Sequence, residues 1–168
     1  MTPALQQHIE ASKLAESANY KVALCTIARL ENAYIREFIE HYCKLGIDKV
    51  YLYDTNLPGT EKFEDVILDY INNGFVEVIP WHGHIVTQEV LDAYCDCYSK
   101  HKDEYEWICF FDPDEYLHLQ RTLTVKQYLS DSAFKDFDVV HVNWKVYNDN
   151  DLLENDGRLL AERFTEAC

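Results

Sequence analysis

The chain has 168 residues, 48% of them hydrophobic and 14% aromatic, which is enough to build the core of one folded domain. Its net charge is −15. That charge argues against a surface for nucleic acid or anionic lipid, because both bind basic patches. No apolar run has the length of an integral membrane segment, and the first 20 residues lack the features of a signal peptide.

The six cysteines do not form paired C-x-x-C sets of the kind that bind zinc. Cys25 and Cys109 lie inside apolar runs, where a free thiol packs as a small hydrophobic group. The cysteine pattern therefore indicates a reducing compartment, and we expect a cytoplasmic protein, with peripheral attachment to a membrane as the alternative.

Strand-like and helix-like segments alternate along most of the chain. Apolar runs predict strands at residues 21–28, 49–55, 75–80, 107–111 and 136–147. Helical spacing of apolar residues predicts helices at residues 32–45, 61–73, 87–101 and 122–129. Such strand–helix repeats predict an α/β fold of three layers, α/β/α, around a mostly parallel central sheet. Residues 1–20 are predicted to be an N-terminal extension, and residues 148–168 a polar C-terminal segment.

The segment from Trp107 to Leu119, WICFFDPDEYLHL, gives the clearest signal in the chain. Five apolar residues without polar alternation predict a strand that is buried on both faces, in the centre of the sheet. We expect this strand to end at Asp112-Pro113-Asp114-Glu115, because proline disfavours continuation of a regular strand.

Asp112 and Asp114 are two residues apart, a spacing that places both carboxylates on one side of an extended chain. Two hard oxygen ligands at a strand end suit Mg²⁺ or Mn²⁺, which keep further positions for water and phosphate. The alternative is a solvated acidic turn, since aspartate and proline are common in turns.

Other polar residues are predicted at the same edge, where the carboxyl ends of parallel strands meet. They are Arg29, Glu31, Asp54, His82 and His84. Each has a simpler interpretation: Arg29 and Glu31 as a solvated pair at a helix entry, Asp54 as a turn former, and the two histidines as solvated loop residues. Trp144 is predicted to line the core or a pocket.

Two long segments, KVALCTIARLENAYIREFIEHYCKLGIDKVYLYDTN and QEVLDAYCDCYSKHKDEYEWICFFDPDEYLHL, resemble the metal-dependent glycosyltransferases of the GT-A fold. The most similar branch is the family-2-like and family-92-like group, and the resemblance covers residues 21–164. Its most specific parts are Glu31 with the following helix up to His41-Tyr42, the Asp96-Cys97 pair, and the pattern W-x-x-F-x-D-x-D-E at residues 107–115.

This resemblance implies a nucleotide-sugar donor, most simply a UDP-sugar, a saccharide or other hydroxyl acceptor, and transfer by a single displacement with inversion. It implies that Ala28, Arg29, Glu31 and Asp54 surround the base. Asp112 is implied to meet the ribose or a metal-bound water, and Asp114 to ligate a divalent cation, Mn²⁺ or Mg²⁺. Glu115 is expected to hold the loop. Asp96 is implied near the donor, with the exposed face of its helix as the alternative.

No catalytic base follows from the sequence, and Asp149, Glu154 and Asp156 are candidates by position alone. Where relatives show a turn rich in Phe and Gly, this chain has Val146-Tyr147-Asn148-Asp149. A minimal enzyme, a truncated one and a non-catalytic module that binds nucleotide or metal all remain open. A nucleotidyltransferase is disfavoured, because TIARLEN lacks the glycines of a phosphate loop.

Overall fold

The computed structural model describes residues 21–81, 87–120, 122–148, 151–152, 154 and 156–167. The expected N-terminal extension, His82, His84 and Asp149 lie outside these residues. The chain divides into two compact units, residues 1–132 and 133–168.

The first unit is built on four parallel strands, and it confirms the predicted α/β fold with helices flanking the sheet. The strands are β1 (Val22–Ala28), β2 (Lys49–Asp54), β3 (Val76–Pro80) and β4 (Trp107–Phe110). The helices are α1 (Ile35–Lys44), α2 (Glu64–Asn72), α3 (Thr87–His101) and α4 (Val125–Leu129). The sheet order is β3-β2-β1-β4.

Strand β1 forms the centre of this sheet and is buried along its whole length. It pairs with β2 on one side and with β4 on the other. On one face, Cys25 and Ile27 of β1 pack with Tyr51 and Tyr53 of β2 and with Ala93 and Cys97 of α3. Helix α1 buries a separate apolar stripe, consisting of Ile35, Phe38, Ile39 and Tyr42.

Strand β4 corrects one expectation. The predicted central strand pairs with β1 alone among the described strands, and its four residues are only half-buried. A continuous apolar run does not distinguish a central strand from an edge strand that one helix covers. In this sheet, Ile108 and Phe110 pack against the same cluster of β1, β2 and α3 residues that contains Cys25 and Cys97.

The predicted strand at residues 136–147 is also wrong. Its residues form no strand, apart from one antiparallel bridge between Tyr147 and Ala167. Trp144, expected in the core or a pocket wall, is 81% exposed. Alternating apolar residues fit a strand, but a strand also needs a neighbour to bond its backbone, and the described residues supply none here.

Helix α4 begins with a capping box, as the predicted short helix at residues 122–129 suggested. Thr124 Oγ1 accepts the backbone N–H of Gln127, and the Gln127 side chain accepts the N–H of Thr124 in return. The cap packs near Gly46, which ends α1 at a φ of +83°. Glycine suits this position, because it adopts positive φ without steric cost.

A 3₁₀ turn, Ser132–Phe134, spans the boundary between the two units, and the second unit contains the short helix α5, Leu160–Arg163. Asn148 donates its backbone N–H to the Glu166 carbonyl at 3.0 Å, beside the bridge at Tyr147. Among the described residues of both units, no helix has the length and apolarity needed to cross a membrane.

Candidate functional site at the carboxyl edge of the sheet

The order in which the chain adds strands to the sheet reverses between β1 and β4, which makes this position the topological switch point. From β1 the chain moves through β2 to β3, and it then crosses back to β4 on the opposite side of β1. In open α/β sheets, ligands bind beyond the carboxyl ends of the strands at such a switch point. Here the segments after Ala28 and after Phe110 lie at that position.

The ends of β1 and β2 are joined by side-chain hydrogen bonds. Ala28 pairs with Asp54 in the sheet register. The Ala28 carbonyl accepts both the backbone N–H and the hydroxyl of Thr55, at 3.1 and 3.0 Å. Asn56 Oδ1 accepts the N–H of Leu30 at 2.9 Å, and Asp54 Oδ1 accepts the N–H of Asn56 at 2.8 Å. The two predicted base-side segments are therefore adjacent and fixed to each other.

Leu30 lies in the left-handed region, with a φ of 58°, and its side chain is 53% exposed. Such backbone strain in a residue other than glycine is concentrated at functional sites. The Arg29 side chain before it is half-buried and makes no hydrogen bond or ion pair with the described part of the chain. This turn thus presents the Arg29 guanidinium, which has no partner among the described residues, and an exposed apolar side chain at the carboxyl edge.

Glu31 brings the β1 turn close to the acidic segment after β4. Burial raises the pKa of the Glu31 carboxyl above its ordinary value, and the carboxylates of Asp114 and Glu61 raise it further. Glu61 Oε2 also accepts the N–H of Asn32 at 2.9 Å. The two segments that flank the switch point are therefore electrostatic neighbours.

The segment Asp112–Glu115 forms a tight turn. The Glu115 N–H donates to the Asp112 carbonyl at 2.9 Å, and the Asp112 N–H donates to Glu115 Oε2 at 2.9 Å. Glu115 therefore holds the loop, as expected. The extended backbone that suggested two carboxylates on one side is not present, because the turn folds back within four residues. The side chains of Asp112 and Asp114 are both exposed.

Helix α1 holds the C-terminal end of this turn through two adjacent residues, His41 and Tyr42. The buried Tyr42 hydroxyl donates to the Glu115 carbonyl at 2.8 Å and accepts the N–H of Leu117 at 3.2 Å. His41 Nε2 lies 3.0 Å from the Leu117 carbonyl, and it carries the proton because a carbonyl can only accept. Burial lowers the pKa of His41 below its ordinary value.

Helix α3 holds the N-terminal end of the turn, at Asp112. The Tyr94 hydroxyl donates to Asp112 Oδ1 at 2.8 Å, and the Tyr94 ring lies 5.1 Å from the Phe110 ring. Asp96, two residues after Tyr94 on the same helix, accepts hydrogen bonds from the Tyr53 hydroxyl and from Lys100 Nζ, both at 2.7 Å. Burial raises the pKa of Asp96, but these two hydrogen bonds together with the nearby charges of Lys100 and His101 lower it, and the net pKa is below its ordinary value.

The structure thus gathers the predicted residues at one edge in two groups. The first group is the turn at Ala28–Glu31 beside Asp54, and the second is the acidic turn with Asp112 and Asp114. Asp96 lies on α3, and its carboxylate bonds to Tyr53 and Lys100.

Sequence reasoning assigned no role to His41, Tyr42, Tyr94 or Asn56. The one available signal was the His41-Tyr42 pair, which stood out in the resemblance.

The residues at the acidic turn offer a divalent cation two carboxylates. Among the described residues, no group of three or more His, Cys, Asp or Glu side chains is arranged to hold a metal ion. Magnesium-type sites commonly use only one or two carboxylates together with substrate phosphates and water.

A parallel sheet with helices on it and polar turns at its switch point belongs to the class of open α/β folds, which bind ligands beyond the carboxyl ends of their strands. The sequence profile of glycosyltransferase family 92 matches residues 19–162, and the chain belongs to this family.

Curated relatives agree with the profile. A glycosyltransferase family 92 protein of Arabidopsis thaliana is 29% identical over 66% of this chain and 18% of its own length. One from rice is 25% identical over 69% of this chain and 19% of its own length. One from Ricinus communis is 24% identical over 64% of this chain and 19% of its own length. The chain therefore spans about a fifth of the length of each of these relatives. No solved structure matches it significantly.

Proposed function

We propose that the protein is a glycosyltransferase that moves a sugar from a nucleotide-sugar, a UDP-sugar in the simplest case, to a hydroxyl group of a saccharide acceptor. The observation that carries this proposal is the placement of the turn Asp112–Glu115 at the switch point of a parallel sheet. Membership of family 92 supports the same reaction class.

In this proposal the two groups of residues divide the donor between them. The turn at Ala28–Glu31 and Asp54 lie beside the base, and Asp112 and Asp114 meet the ribose and the diphosphate through Mn²⁺ or Mg²⁺. Asp96 contributes by holding Tyr53, which precedes Asp54 on β2. The Arg29 guanidinium would offer positive charge to an anionic donor beside the acidic turn.

A bound divalent cation would stabilise the negative charge that develops on the leaving nucleoside diphosphate. The protein's own part is to fix the acidic turn, through Tyr42 on one side and Tyr94 on the other. We propose transfer by a single displacement with inversion. The base that accepts the acceptor's proton is unassigned.

The test is a calorimetric titration of UDP into the 168-residue chain, with and without Mn²⁺. Binding should depend on Mn²⁺, and Asp114→Asn should reduce metal-dependent binding by about tenfold or more, because the neutral amide is a poor ligand for a hard divalent cation. The melting temperature of the unliganded variant should stay level or rise, because Asp114 lies near the Glu31 carboxylate.

Asp103→Asn is the matched control. Asp103 is an exposed aspartate in the turn that precedes β4, at the opposite edge of the sheet. This variant should bind UDP with Mn²⁺ as the wild type does. Equal binding by the Asp114→Asn variant would instead make the acidic turn a solvated loop.

A non-catalytic nucleotide-binding module is the second candidate function. Slow hydrolysis of a UDP-sugar by the wild type, absent from the Asp114→Asn variant, favours the transferase. Metal-dependent binding of the UDP-sugar without hydrolysis or transfer favours the module.

A further inference from the structure

We propose that Tyr94 is a positioning residue of the donor site: its hydroxyl fixes the Asp112 carboxylate in the orientation that receives the donor. This inference rests on the proposed function. Tyr94 lies on α3, and its contact with Asp112 joins this helix to the acidic turn.

The contact is direct and well formed. The Tyr94 hydroxyl donates to Asp112 Oδ1 at 2.8 Å, the usual distance for an O–H···O hydrogen bond. The Tyr94 ring is half-buried and packs at 5.1 Å against Phe110, two residues before Asp112 on the same chain segment. The side chain of Tyr94 is therefore held in place by packing against the strand that leads into the turn.

Asp112 needs such a partner because the turn fixes only its backbone. Its N–H and carbonyl are bonded to Glu115, but its side chain is exposed. The bond from Tyr94 is the one hydrogen bond to its carboxylate within the described part of the chain. An exposed aspartate without a partner samples several rotamers, and binding a ligand then costs the entropy of selecting one.

The geometry also determines which oxygen remains for a ligand. Oδ1 accepts the tyrosine hydroxyl, and Oδ2 has no protein partner among the described residues. With Oδ1 bound to Tyr94, Asp112 can offer Oδ2 to a ribose hydroxyl or to a metal-bound water. Tyr94 therefore contributes to donor affinity by pre-organising its neighbour and without touching the donor itself.

The experiment compares the wild type with Tyr94→Phe, which removes only the hydroxyl group and keeps the ring against Phe110. Calorimetric titration of UDP in the presence of Mn²⁺ should give a dissociation constant about three- to thirtyfold weaker for the variant, the range for losing one charge-assisted hydrogen bond that orients a ligand. The melting temperature of the unliganded variant should remain within about 2 °C of the wild type.

Tyr98→Phe is the matched control, since Tyr98 lies one turn further on α3, is 53% exposed, and its hydroxyl makes no hydrogen bond within the described residues. It should bind UDP as the wild type does. Wild-type affinity in Tyr94→Phe would overturn the inference and leave the proposed function standing. A loss of affinity that comes with a fall of several degrees in melting temperature would also overturn it, as evidence of a purely structural role. A wild type that does not bind UDP with Mn²⁺ would overturn both proposals.

Discussion

At the scale of single residues, Tyr42 connects the core to the candidate site. Its ring is fully buried in α1 and stacks 5.6 Å from the Phe111 ring, with an angle of 15° between the two planes. Its hydroxyl bonds two backbone groups of the segment that follows the acidic turn. One side chain thus contributes to the apolar core and fixes the loop that carries Asp112 and Asp114.

Replacing Tyr42 with phenylalanine should therefore destabilise the fold. The change leaves the Glu115 carbonyl and the Leu117 N–H without their partner, at a cost of about 1–3 kcal/mol in the free energy of unfolding. Urea unfolding of the wild type and the variant measures this difference. Tyr98→Phe serves as the control and should be nearly neutral. A Tyr42→Phe variant as stable as the wild type would show that water replaces both hydrogen bonds.

At the scale of elements, two strands of similar hydrophobicity are buried to different extents. β1, the sequence VALCTIA, is fully buried between β2 and β4, whereas β4, the sequence WICF, is half-buried along its length. The two strands are similarly apolar, so the difference in burial comes from their places in the sheet.

Truncation of matched aliphatic side chains should reveal that difference. Leu24 of β1 is fully buried, and Leu24→Ala should cost about 2–5 kcal/mol, the usual range for emptying a core site. Ile108 of β4 is half-buried, so Ile108→Ala should cost clearly less. Chemical denaturation of the two variants gives the comparison. An equal cost for both would mean that β4 is as tightly enclosed as β1.

The sequence predicted the elements better than their arrangement. Segments with a strong period, such as α3 at Thr87–His101 and β2 at Lys49–Asp54, appear where hydrophobic spacing placed them. The place of β4 at one end of the described sheet could not be read from WICF, because strand order depends on contacts distant in sequence. The alternating segment before Tyr147 failed for the same reason.

The candidate site shows a similar division. The acidic residues Asp112 and Asp114 and the turn after Ala28 were visible as polar breaks after apolar runs. The residues that hold them in place were not, because Tyr42 and Tyr94 match the apolar stripes of their helices. Only coordinates reveal that a tyrosine in such a stripe aims its hydroxyl at a loop about 20 to 75 positions away in sequence.

At the scale of the whole molecule, the stability of the fold should depend on the protonation of His41. Burial lowers the pKa of its imidazole in the folded state, so the unfolded chain binds this proton more readily. The contribution of His41 to stability is therefore fully present above the unfolded pKa of about 6.5, and it is lost as the pH falls towards the folded pKa.

The His41→Gln variant isolates this effect. Wild-type unfolding free energy should fall between about pH 7 and pH 5, and the variant should fall less steeply over the same range. Urea unfolding at several pH values gives both slopes, and His141→Gln is a control at an exposed histidine. Identical slopes for the wild type and His41→Gln would mean that His41 has the same proton affinity in both states.

The position of β4 has a consequence for how copies of the protein behave in solution. Within the described chain β4 pairs with a strand on one side, and a strand whose other side is open can add a further strand from another molecule. A net charge of −15 opposes this, because like-charged copies repel at a distance. Added salt screens the repulsion and leaves the backbone groups unchanged, so ionic strength controls how closely two edges approach.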